Sequence, residues 1–312
     1  MATRFKGDRP LKRSVRKIAQ QLIDESLDKL AVTAPSERDE AIHDARKALK
    51  KVRSLLRLIR PAISKSDYRD ENQRFRDAGL PLTQARDLKI LIESFDTVVK
   101  ESFPNGDVPE SLQEVRRSAS EQLYKEHERL ESDAEIESIS YQLKEARDDV
   151  RKWARVPDRW RTLSRGLKAT YRRTLDGRDD AEKHQTAETC HEWRKQVRYL
   201  RYQLDLLRFL NPERLKSLSG DVDRINKLLG SARDLTLLEK HLAEQVALDA
   251  ALTERLKAVI DRRRQEATTE ACRLAEELFA VSPEDFVGAL KVDWRNVRST
   301  IGAEQTTAEQ QT

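Results

Sequence analysis

The sequence predicts an all-α protein, and three observations carry the prediction. Apolar residues recur three and four apart along nearly the whole chain, the period of a helix with one buried face. Glycine and proline number only nine each in 312 residues, so breaks are sparse and the elements between them long. Runs of β-branched residues are few, and no segment is rich in strand pattern.

Pro10 opens a first helix striped by Val15, Ile18, Ala19, Leu22, Ile23 and Leu27. Pro35-Ser36 offers an N-cap to a long second helix, which Pro61 ends. A third helix spans about Ser66 to Gly79, and another follows Pro81 with Leu88, Leu91, Ile92 and Phe95 on one side. Pro104, Asn105 and Gly106 mark a turn between Ser102 and Pro109. Two further helices reach about Val156. Pro157 then separates an N-terminal helical half, residues 1–156, from a C-terminal half, residues 157–301. Past it, a helix from Arg159 to Leu175 should end near Asp176-Gly177, and the next should run from about Ala181 to Leu210, stopped by Asn211-Pro212. Two shorter helices are expected at Leu215 to Leu229 and Leu235 to Ala247. A long one through Arg262 and Phe279 and a last from Pro283 to Val297 complete the set. Residues 302–312 are polar and expected to be disordered.

One pattern occurs twice. His43, Arg46, Lys47, Lys50 and Arg53 share their spacing with His191, Arg194, Lys195, Arg198 and Arg201, at a constant offset of 148 residues. Solenoid units repeat every ~20–50 residues, so this offset marks a duplicated half-molecule. A second correspondence, Gln84-Ala85-Arg86-Asp87-Leu88 with Ser231-Ala232-Arg233-Asp234-Leu235, falls at an offset of 147. At ~100° per residue the first set of cations, with Arg57, lies within about 80° of His43. Ala45, Ala48, Leu49, Val52, Leu55, Leu56 and Ile59 lie opposite. In the second copy Trp193, Val197, Leu200, Leu204 and Leu207 do the same.

The polar faces carry one sign. From His43 to Arg60 stand seven lysines or arginines and a single acid, Asp44. Like charges at i,i+4 cost about 0.2–0.5 kcal/mol per pair, where a Glu–Lys pair gains as much. The chain uses the favourable option elsewhere, mixing Glu121, Lys125, Glu126, Glu128 and Arg129. Repulsion maintained in both copies points to a polyanion that offsets it when bound. Asp87 and Asp234 read as helix-start carboxylates; Arg86 and Arg233 either pair with neighbouring acids or face the same ligand.

Composition adds bounds. The net charge of +5 is too small to argue for polyanion binding, so the case rests on local segregation. Cys190 and Cys272 have neither a disulfide framework nor metal spacing and read as small core residues. No secretory signal and no apolar run of ~20 residues is visible, so a soluble cytoplasmic protein is expected.

These motifs resemble the CHAD family, the conserved-histidine α-helical domain. The resemblance covers about Lys12 to Arg298. It rests on His43 and His191 heading a His-x-x-Arg-x-x-x-(Arg/Lys)-x-x-Arg helix in each half, and on Arg86-Asp87 and Arg233-Asp234 following them. It departs at Gly79-Leu80-Pro81, where the second half has Leu229-Gly230. The resemblance implies two pseudo-twofold-related helical bundles with the motif helices lining a basic central cleft or pore. It also implies binding of inorganic polyphosphate and recruitment to polyphosphate granules. Relatives with a triphosphate-tunnel domain have a signature that Glu135-x-Glu137 lacks, so no phosphohydrolase activity is carried over.

The residues expected to hold polyphosphate are thus His43, Arg46, Lys47, Lys50, Arg53, Arg57 and Arg86 with His191, Arg194, Lys195, Arg198, Arg201 and Arg233. Arginine forks onto phosphate oxygens and lysine adds a point charge. As imidazolium each histidine would donate from both nitrogens, so binding is expected to tighten as pH falls from about 8 to 6. Nucleic acid is the runner-up partner, opposed by the lack of a helix-turn-helix or zinc signature and by 5% aromatic content. An acidic protein partner is a further alternative. No P-loop glycine run or metal-ligand spacing of His127, His184 and His241 supports an enzyme, a metal site or a cofactor. The sequence leaves oligomeric state open, a homodimer included, and nothing in it favours a membrane.

Overall fold

A computed structural model of the chain describes residues 3–132, 134–153, 156–244 and 248–310. Among them are eleven α-helices and no strand. Before Pro157 come α1 (Leu11–Leu30), α2 (Pro35–Ile59), α3 (Lys65–Asp77), α4 (Thr83–Ser102), α5 (Glu110–Ser132) and α6 (Glu135–Asp149). After it come α7 (Trp160–His184), α8 (Ala187–Leu206), α9 (Pro212–Ala243), α10 (Ala250–Leu278) and α11 (Pro283–Gln310). No described helix is long and apolar enough to cross a membrane.

Helix starts show how local chemistry and distant contacts combine. Pro10 has no side chain to cap α1, so the Leu11 N–H is bound by Asp158 Oδ1 at 3.1 Å, from just past the chain's midpoint. Asp158 also accepts from Arg298 of α11 at 2.6 Å. The N-cap of α2 is Ala34, without a side-chain bond, and Pro35 stands in the first turn, where its missing N–H is no loss; the expected Pro35-Ser36 cap does not form.

Several expected boundaries differ, among them the end of α8, which stops at Leu206 rather than Leu210. The α7 helix runs through Asp176-Gly177 to His184. It stops where Gln185 turns left-handed (φ 49°) and Thr186 forms a capping box with Thr189, so α8 starts at Ala187 rather than Ala181. The two short helices predicted at Leu215 to Leu229 and Leu235 to Ala247 are one, α9; Ala247 itself lies outside the described residues. A glycine inside a helix costs only about 1 kcal/mol, and no proline follows Gly177 or Gly230, so apolar stripes carry both helices onward. In the first half Pro81 does follow, and α3 and α4 are separate there. At the C-terminus the α11 backbone stays helical to Gln310, across most of the segment expected to be disordered. Its composition of Ala, Glu and Gln favours helix; residues 311–312 lie outside the described set.

The interior forms two clusters. The larger packs Ile18, Leu22 and Leu55 of α1 and α2 against Leu163, Trp193, Leu200 and Trp294 of α7, α8 and α11. The smaller packs Leu91, Phe95 and Val115 of α4 and α5 against Leu238, Leu256 and Ile260 of α9 and α10. Both draw on both sides of Pro157, so the halves share their interior. The segment before α1 joins in: Phe5 is fully buried and its N–H donates to Leu206 O at 3.0 Å.

The predicted apolar faces of both motif helices are inside. Ala45, Ala48, Val52, Leu55, Leu56 and Ile59 are inaccessible to solvent, as are Trp193, Val197, Leu204 and Leu207. Burying each large aliphatic side chain contributes about 1.5–3 kcal/mol, which fixes the roll of α2 and α8 and turns their cations outward.

Candidate anion-binding site

The helices α2 and α8 meet at a buried seam. Ser54 Oγ donates to Tyr199 O at 3.0 Å, and Gln203 Nε2 donates to Ser54 O at 3.4 Å. Above the seam the cationic faces diverge around a cavity of about 550 Å³. From α2 it takes Arg46, Lys50, Arg53 and Arg57; from α8, His191, Lys195, Arg198 and Tyr199. A third wall is α3 and the turn after it, with Asn72, Phe75, Arg76, Gly79, Leu80 and Thr83. Seven lysines and arginines line this space, and no carboxylate does.

Neutral partners hold several of these cations in place. Arg46 donates to the Leu82 and Thr83 carbonyls at 3.0 and 3.2 Å, at the start of α4. Arg53 Nε donates to Asn72 Oδ1 at 3.2 Å. Arg57 bonds Tyr68 OH and lies 4.1 Å above the Tyr199 ring, a cation–π contact. Such partners orient a guanidinium without cancelling its charge. Behind the cavity Arg194 passes beside Gly230 of α9, where an added Cβ would come within 3.1 Å of its Nη2. The Nε atoms of Arg194 and Arg198 are buried without a hydrogen-bond partner among the described residues.

Carboxylates take up the outer members of the set. Asp44 lies 3.6 Å from Lys47 and 3.3 Å from Lys29. Glu192 pairs with Lys195. Asp223 pairs with Arg201 at 3.1 Å, and Arg233 is 3.4 Å from both Asp87 and Asp234. His43, Lys47, Arg86, Arg194, Arg201 and Arg233 do not line the cavity. Arg233 instead lines, with His191, an adjoining larger cavity of about 830 Å³ among α7–α10, whose walls include Glu182, Glu239, Asp261, Cys190 and Cys272. Among the described residues no group of three or more His, Cys, Asp or Glu could hold a metal ion.

The sequence model of the CHAD domain matches residues 18–243, most of the chain and both motif helices. The chain belongs to the CHAD domain family. No curated protein sequence matches it significantly. Among solved structures it is similar to the CHAD domain from the plant Ricinus communis, with 15% identity, a TM-score of 0.58 and 95% of each chain covered. It is also similar to PptA from Streptomyces chartreusis, with 14% identity and a TM-score of 0.58, over 86% of this chain and 100% of that one. At these identities the likeness is one of fold.

Burial and neighbouring cations act on the namesake histidines of this CHAD domain. Burial, then Arg86, Lys50 and Lys47, push His43 down to about 4. His191, at the exposed rim, is also lowered, by partial desolvation and by Arg233, with Glu192 opposing. Burial and the surrounding cations thus disfavour the imidazolium form of both in the free protein. Lys50 titrates close to neutrality. Burial, then Arg198, Arg46, Arg194 and Arg233, push it down to about 6. Arg194 is lowered to about 10 by burial and by Arg198, and so stays charged.

Sequence reasoning missed Arg76, Asn72 and Tyr68, the contribution of α3. Asn72 and Arg76 stand four apart and share a helix face, but a lone pair of polar residues at that spacing is too common to single out. Tyr199 and Tyr202, the aromatics interleaved with the second cationic motif, are 1% and 7% exposed, which leaves no open ring face there for base stacking.

Proposed function

We propose that this protein binds inorganic polyphosphate, without turning it over, in the cavity between α2, α8 and α3. The observation that carries the reading is the wall of seven cations with no carboxylate among them. Polyphosphate binding is the known property of the family to which the chain belongs. Arg46, Lys50, Arg53, Arg57, Arg76 and Arg198 make the inner contacts, with Arg194 behind them. His43, Lys47, Arg86, His191, Lys195, Arg201 and Arg233 form a surrounding shell whose partly paired cations extend the favourable field along the chain.

A polyphosphate carries a charge on every unit and no bases, so spacing and charge are all that need matching. Helix geometry sets successive cations about 5.4 Å apart per turn, and two motif helices on one cavity present two such rows. Low-dielectric walls concentrate the field between them. Binding releases counterions and weakens steeply with salt. The cavity wall supplies no carboxylate to hold a metal or activate a water, so retention of the chain is the reading rather than hydrolysis. In the cell such a protein would be held at cytoplasmic polyphosphate granules. Nucleic acid is disfavoured because Tyr199 and Tyr202, the aromatics within the second motif helix, are covered.

The test is titration with polyphosphate of defined length, comparing wild type with an Arg194→Glu, Arg198→Glu variant. A loss of tenfold or more is expected; unchanged affinity removes the α8 face from the site. Displacement by RNA at equal phosphate concentration would replace the polyphosphate reading with a nucleic-acid one. Phosphate released on incubation with Mg²⁺ would overturn the non-catalytic part.

A further inference from the structure

We propose that binding of the phosphate chain is coupled to uptake of one proton, and that the Lys50 amine receives it; this rests on the binding reading above. Lys50 sits on the inner face of α2, in the cavity, one turn from Arg46. Every element facing it presents cations: Arg53 on its own helix, Arg194, Arg198 and Lys195 on α8, Arg76 on α3, Arg86 on α4 and Arg233 on α9. The carboxylates in reach are already engaged. Asp87 and Asp234 are taken by Arg233, Glu192 by Lys195, and Asp44 by Lys29 and Lys47. Neutral oxygens are engaged too, since Arg46 holds the Leu82 and Thr83 carbonyls and Arg53 holds Asn72.

The arginines cannot relieve this crowding by losing protons, because guanidinium stays charged. Lysine can. Of the two lysines lining the cavity, Lys195 is paired by Glu192, and Lys50, partly buried among guanidinium groups, is the one whose amine can release its proton at neutral pH. The free site therefore holds one charge fewer than its composition suggests. A phosphate oxyanion entering the cavity reverses the field at Lys50 and accepts its hydrogen bonds. The amine then binds a proton from solvent: R–NH₂ takes H⁺ to become R–NH₃⁺, and the buffer loses it. His43 and His191 face the same cations. His191 at the rim keeps access to solvent and Glu192, whereas His43 lies outside the cavity wall.

Linkage fixes the sign. Above the free-state pKa of about 6, affinity falls by up to tenfold per pH unit as pH rises, and it levels off below. The experiment is calorimetric titration at pH 7.5 with long-chain inorganic polyphosphate, in which end groups are a small fraction, in Tris and in HEPES. Their different ionisation enthalpies turn proton uptake into a difference in measured heat. Wild type should take up close to one proton per site. Lys50→Arg, which keeps a permanent charge, should bind with none, and so should the charge-free Lys50→Met. His43→Ala and His191→Ala should retain the uptake. Binding by wild type with no buffer dependence, or equal uptake by the Lys50 variants, overturns the inference while leaving polyphosphate binding intact. Uptake lost in either histidine variant overturns the assignment to Lys50. Absence of binding in wild type sinks the binding reading and this inference together.

Discussion

Replacing Lys50 by methionine should stabilise the free protein. Methionine keeps the apolar stem and removes the amine. An ordinary lysine titrates near 10.5, and in the folded protein Lys50 is pushed down to about 6. At pH 7 the unfolded chain holds this proton and the folded chain has released it. The lysine thus lowers stability by the cost of deprotonating an ordinary amine at that pH, about 5 kcal/mol at 1.36 kcal/mol per tenfold. For a base with a depressed folded-state pKa the unfolded chain binds more protons between about 6 and 10.5. Stability therefore rises with pH across that window. The penalty is largest below pH 6, about 6 kcal/mol, and falls to about 1 kcal/mol near pH 10. Urea denaturation of wild type and Lys50→Met at pH 7 and pH 10 measures it, the comparison within each pH cancelling other titrations. The variant should be more stable by several kcal/mol at pH 7 and nearly matched at pH 10. A variant no more stable at pH 7, or a gain that does not shrink with pH, would refute the reasoning.

Other expectations follow from the packing and the charge. Gly166→Ala should destabilise by about 3 kcal/mol, because its Cβ would stand 2.0 Å from the Leu58 carbonyl oxygen and force α7 off α2; thermal denaturation reads this. Thr186→Ala should cost about 1 kcal/mol and speed amide exchange in the first turn of α8, which carries His191, since the capping box with Thr189 is lost. Arg53→Gln should weaken polyphosphate binding and reduce the slope of log affinity against log salt by about 1, one phosphate contact fewer; an unchanged slope would place Arg53 outside the contact set.

Much of this protein was legible before any coordinates. The stripes of α2 and α8 follow from local periodicity, and every apolar residue assigned to them is buried. The repeat of His43 to Arg53 in His191 to Arg201 marked the two helices that border the cavity. Helix boundaries were less legible where two weak signals competed. Gly177 and Gly230 resemble stops, yet each costs too little to end a helix whose stripe continues. The Thr186–Thr189 box was present in the sequence and outweighed by the apolar pattern around it.

Local pattern thus settles what faces inward and what faces outward on each helix, because that depends on residues three and four apart. It places lysines and arginines on two faces and names the family. Which of them remain unneutralised depends on residues far along the chain. Asp223 pairs Arg201, Asp87 pairs Arg233 across 146 positions, and Arg76 arrives from α3. Whether Lys50 keeps its proton depends on four guanidinium groups, three of them from α8 and α9, and on the loss of water around it. Charge is written in the residues. Its effective value is set by solvent exclusion and by neighbours across space, and these exist only once the helices have packed.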